Sequence, residues 1–167
     1  LFSQYQVNKK EKNAYQGLLY TLHVELHWQN HHFELLRKTL NKLEKASVKN
    51  QTFVLENAPI QFDLSIIEKV LLDATIYKYY NHELIALLTS YLNQIRNINY
   101  FLDFKNANEL ILNLEKNSNK SQCISDYFTV LRIQYIDKTQ PVIADIRKII
   151  EKELSDYPKE KMAFREN

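Results

Sequence analysis

Glycine is nearly missing from this chain. One residue, Gly17, stands among 167, where average usage near 7% would place about a dozen. A Gly-rich phosphate cradle, a dinucleotide fingerprint and a G-x-S-x-G nucleophile elbow each need several glycines at fixed spacing, so all three are excluded. Glycine-dependent hairpin turns are equally scarce, which argues against sheets built of hairpins. Cysteine is also single, at Cys123. That removes an intrachain disulfide and every multi-Cys zinc or iron–sulfur site. Prolines number 3, and no run approaches the 18 apolar residues of a membrane-spanning helix. The 22 Lys and Arg nearly balance the 20 Asp and Glu. Basic residues alternate with acids, as in Lys9-Lys10-Glu11-Lys12, so no one-sided basic face points to nucleic acid.

What is present is helical patterning. Leu19, Leu22, Leu26, Phe33, Leu36, Leu40 and Leu43 recur at steps of three and four, broken only at Gln29. The seam predicts a long packed helix from about Asn8 to Lys45. Gly17 falls inside it, as a close helix contact or a tolerated loss of about 1 kcal/mol. Residues 47–59 read as a connection, with Phe53, Val54 and Leu55 tucked inward. Asp63 or Ser65 should cap a short helix ending between Asp73 and Ile76. Asn81 should cap a third helix, with Leu84, Leu88, Tyr91, Ile95, Ile98 and Leu102 as its seam, bending around Lys105–Asn108 if it continues. A fourth starts near Ser121 or Ser125, with Phe128, Leu131, Tyr135, Val142, Ile146 and Ile149 inward. Pro141 should kink or divide it, and Pro158 should close it. The expected architecture is one all-α domain over residues 1–167. It is an elongated antiparallel helical bundle of three long helices and one short helix.

Histidine is the conspicuous polar residue. His23, His27, His31 and His32 crowd onto the first helix. At about 100° per residue His27, His31 and Glu34 share one face, a donor set suited to zinc or copper. The H-E-x-x-H hydrolase pattern is absent, and neither Glu25–Gln29 nor Glu34–Arg37 supplies the Glu-x-x-His of a di-iron bundle. Cys123, beside Ile124, reads as a small buried hydrophobe rather than a nucleophile. No nucleophile lies beside a base, so no catalytic residue is assigned and no cofactor is implied.

Tyrosine is abundant, at 11. Tyr77, Tyr80 and Tyr91 are the candidates to line a ligand pocket between helices, against the alternative of rings that rim the core with wet hydroxyls. Asn30, within about 60° of the first seam, and Asn99, beside Ile98, read as structural hydrogen-bonders that fix helix pairing.

The stretch Glu25-Leu26 with Asn30, followed by the Tyr91–Asn99 segment, resembles an E-L-x-x-x-N opening seen in small prokaryotic membrane-anchored helical proteins of unknown function. The resemblance implies a helical domain tethered by a span ahead of Leu1, with membrane contact only through that segment, and it assigns no chemistry. The expected function is a non-enzymatic interaction or scaffold module with a protein partner or a second copy of itself. The alternatives are a Tyr-lined ligand sensor and a His-rich divalent metal binder.

Overall fold

In the computed structural model, which describes residues 2–53, 55, 61–79, 81–116 and 119–155, α1 covers Phe2–Asn50. Its 49 residues span about 73 Å at 1.5 Å per residue, well beyond both ends read from the seam. Tyr15, Leu19, Leu22, Leu26, Gln29, Phe33, Leu36, Leu40 and Ser47 are buried along it. With half-buried Leu43 they alternate by four and three throughout, so the polar Gln29 and Ser47 occupy seam positions. Residues 3–10 are exposed, and this polar start carries no apolar repeat from which the sequence could announce it.

The end of α1 shows how a chain short of glycine stops a helix. Thr52 N–H donates to Ser47 O at 3.1 Å and Gln51 N–H to Val48 O at 3.3 Å. That is the Schellman pairing, which asks for a left-handed residue just past the helix. Glycine is the usual occupant; here Gln51 adopts φ 51°. Gly17 serves no such purpose, for a Cβ built on it would meet nothing within 4 Å.

Two short helices follow, α2 (Ser65–Leu72) and α3 (Ala74–Lys78). Asp63 accepts from Ser65 N–H at 2.9 Å and Asp73 from Thr75 N–H at 2.8 Å. The Thr75 hydroxyl, which also donates to Asp73, and then the Thr75 N–H hold the Asp73 carboxyl below the usual carboxylate range, as the Ser65 N–H does for Asp63. The Asp73 turn breaks what the sequence reads as one helix. Asn81 caps α4 (His82–Leu102) by accepting from Leu84 N–H at 3.0 Å. Asp103 then ends α4 and caps α5 (Phe104–Glu115), accepting from Asn106 N–H at 3.0 Å. The bend therefore falls just before the expected Lys105–Asn108.

The last element is α6 (Lys120–Val130), a π segment (Leu131–Ile136) and α7 (Asp137–Glu153), which run on as one joined helix of 34 residues. Pro141 lies inside α7 and has no N–H for the Asp137 carbonyl. The π segment just ahead takes up one extra residue, a common companion of such a disturbance. Its effect is legible in the buried positions: Phe128 and Leu131, then a step of five to Ile136, then Thr139, Ile143, Ile146 and Ile150. The sequence seam through Tyr135, Val142 and Ile149 is thus corrected by one residue; those three are only half-buried. Pro158 lies outside the described residues, as does Val54.

Among the described residues the chain is 89% helical with no strand. All-α is the fold class, in six helices rather than four, since two short helices replace one and the third breaks at Asp103. Contacts pair α1 with α6 and α7, α4 with α7 and the π segment, and α5 with α6. One apolar core runs between them. No described helix is long and apolar enough to cross a membrane.

Candidate functional site

The seam interruption at Gln29 is the centre of a buried polar node. Tyr91 is wholly buried on α4, and its hydroxyl donates to Gln29 Oε1 at 2.6 Å. Gln29 Nε2 donates to Glu25 Oε1 at 2.7 Å and to Asp63 O at 3.0 Å. Burial, then the nearby Glu25 charge, pushes the Tyr91 phenol well above its ordinary pKa, so it stays a donor. Asn99 makes the matching joint on α4. Its Oδ1 accepts from Phe62 N–H at 2.7 Å and its Nδ2 donates to Phe62 O at 2.9 Å. The pair seats Phe62 against Phe33, ring centroids 4.5 Å apart. Asn30 Oδ1 accepts from Gln140 Nε2 at 3.0 Å, tying α1 to α7.

The other predicted residues do not converge. Tyr77 is half exposed and donates to Leu71 O at 2.6 Å. It and Tyr91 sit on different helices, and neither lines the α1–α7 cleft or the α5–α6 cleft. Tyr80 lies outside the described residues. Among the described residues no group of three or more His, Cys, Asp or Glu is placed to hold a metal ion. His27 sets its ring edge-on to Trp28, centroids 5.5 Å apart, while His31 and Glu34 stand exposed. On a straight helix a shared face alone does not aim three donors at one point. His23 is buried instead. Burial, then the Arg147 and His27 charges, lowers its pKa against an opposing pull from Glu151, so it is neutral at pH 7. Cys123 is a buried free thiol.

The surface feature that stands out was not anticipated. Leu110, Leu114, Phe101, Tyr127 and Val130 line an open cleft of about 240 Å³ between α5 and α6, with Asp126 as its one charged group. Tyr127 donates to Phe101 O and so turns its ring into the wall. Beside the cleft Val130 is 43% and Ile133 52% exposed, and Leu114 on the facing helix is 49% exposed. Val130 closes α6 and Ile133 follows in the π segment, so both exposed side chains lie on the joined helix. Grouped apolar exposure of this kind marks interaction sites, whereas isolated exposed leucines mean little. The sequence signal was there: both residues are β-branched and apolar yet lie off the Phe128–Leu131 seam.

Comparison with protein-family models, with curated proteins and with solved structures finds no match to this chain. The functional reading therefore rests on the geometry.

Proposed function

We propose that this chain is a non-enzymatic interaction module that pairs with a second copy of itself through the α5–α6 face. The observation that carries the reading is an apolar cleft lined by Leu110, Leu114, Tyr127 and Val130, with exposed apolar side chains at Val130 on its edge and Ile133 further along the same joined helix. A two-fold contact uses the same patch on both copies, so it needs a surface with shape and counter-shape side by side. The exposed Val130 and Ile133 of each copy pack against the cleft of the other. The tether ahead of Leu1 belongs to the same proposal, and the residues encoded upstream test it: about 20 apolar residues in a row support it, and their absence removes it.

Hydrogen exchange tests the face. Diluting the protein should raise deuterium uptake over residues 110–115 and 126–134 and leave α1 unchanged. Uptake insensitive to dilution over both segments would overturn the pairing.

A further inference from the structure

We infer that the cleft between α1 and α7 is a binding site for a small oxyanion, with Arg147 as its principal donor. This cleft, of about 330 Å³, is lined by Asn30, Arg37, Gln140, Pro141, Ala144 and Arg147. It shares no residue with the α5–α6 face. Arg37 is occupied by the protein itself: Nε and Nη2 donate to Gln140 Oε1 at 3.2 and 2.7 Å, and Nη1 pairs with Asp137. Gln140 in turn donates to Asn30 Oδ1. Arg37 is therefore held rigid with its charge largely answered by Asp137, which leaves Arg147 as the main contact.

Arg147 is different. Its Nε is buried with no hydrogen-bond partner among the described residues. Its Nη2 lies 3.5 Å from His23 Nε2 and 3.9 Å from Glu151 Oε1. A neutral imidazole orients the guanidinium without neutralising it, and Glu151 is half exposed. A guanidinium fork keeps the geometry that carboxylate and phosphate oxygens accept in pairs. The open cleft brings two guanidinium side chains and the Asn30 amide to one place, a donor set that such an acceptor fits. Buried Ile143, with exposed Pro141 and Ala144, supplies the apolar part of the lining for the carbon portion of the ligand. A phosphate and a carboxylate share the required chemistry.

The test titrates inorganic phosphate and, separately, acetate into the protein at constant ionic strength. NMR follows the Ala144 backbone amide and the Asn30 side-chain amide. A saturable shift at both with either anion is expected, and the tighter of the two identifies the head group. Arg147→Lys, which keeps the charge and loses the planar fork, should abolish saturation. Asn30→Asp keeps the acceptor for Gln140, and so the helix pairing, but sets a carboxylate in the cleft; it should weaken binding about tenfold or more. A shift that grows linearly and is matched by chloride, or saturable binding unchanged in either variant, would overturn the site.

Discussion

Removing the Tyr91 hydroxyl is the sharpest test of how this bundle is held in register. Tyr91→Phe keeps the buried ring and deletes only the donor 2.6 Å from Gln29 Oε1. Gln29 is itself buried, at 4% exposure, so water cannot readily replace the lost partner. Leaving a buried acceptor unsatisfied costs about 1–3 kcal/mol, more than the net worth of an average hydrogen bond. For a chain of this length each kcal/mol moves Tm by about 2–4 °C. A fall of about 4–8 °C is therefore expected at the middle of that range. Urea denaturation of Tyr91→Phe, Gln29→Leu and the double variant completes a cycle. The double variant should lose less than the sum of the singles, by about 0.5 kcal/mol or more, because the pair removed together leaves no orphan between them. A Tyr91→Phe protein within about 0.5 kcal/mol of the parent would refute the reasoning.

The chain's single glycine is placed where it helps least, and moving it should help. Gly17→Ala should stabilise by about 1 kcal/mol, since the added methyl meets nothing within 4 Å and alanine is the better helix former. Gln51→Gly should relieve the left-handed strain of about 1–2 kcal/mol, partly offset by the greater freedom of glycine in the unfolded chain, for a net gain of about 0.5–1 kcal/mol. Thermal unfolding reads both, and a lower Tm in either variant counts against it. His23 sets a pH dependence. Its folded-state pKa lies below the ordinary 6.5, so below that pH the unfolded chain binds a proton that the native state resists. Stability should fall as pH drops from about 6.5 toward the folded-state value, by at most about 1.4 kcal/mol per pH unit. His23→Gln, which can still accept from Arg147, should flatten that slope between pH 7 and about 5; an unchanged slope would show that His23 is not its source.

How far the sequence could be read follows from what each residue signals alone. Period was legible, and so was one cap: the α1 seam, Asn81 as the start of α4 and the near-absence of glycine all translate directly into backbone geometry. Neither Asp63 nor Ser65 is the cap of α2, whose N-cap is Leu64 with no side-chain bond. The π segment was not, because a one-residue insertion in helical phase leaves every apolar residue apolar. It shows only as Ile136, Ile143 and Ile150 buried where Tyr135, Val142 and Ile149 were expected. Polar partners across the bundle were invisible for a related reason. Gln29 and Tyr91 are 62 positions apart, and Arg37 and Gln140 are 103, so one-dimensional spacing carries no trace of them. The break in the seam at Gln29 did mark where such a partner had to be. The histidine face misled in the opposite sense, since periodicity puts His27, His31 and Glu34 on one side without aiming them at a common centre. Gln29 and Asn99 together explain why residues 61–63 lie where they do: one amide holds the Asp63 carbonyl, the other brackets Phe62.

The central claim is that the α5–α6 face pairs two copies, and mass in solution tests it most directly. Light scattering behind size exclusion, over a concentration series from low micromolar to several hundred micromolar, should show the 20.0 kDa chain rising toward twice that mass. Val130→Glu, which sets a charge on the exposed edge of the cleft and leaves the core untouched, should hold the mass at that of one chain throughout. A native protein that stays at 20.0 kDa at every concentration, or a Val130→Glu variant that pairs as well as the parent, would contradict the account.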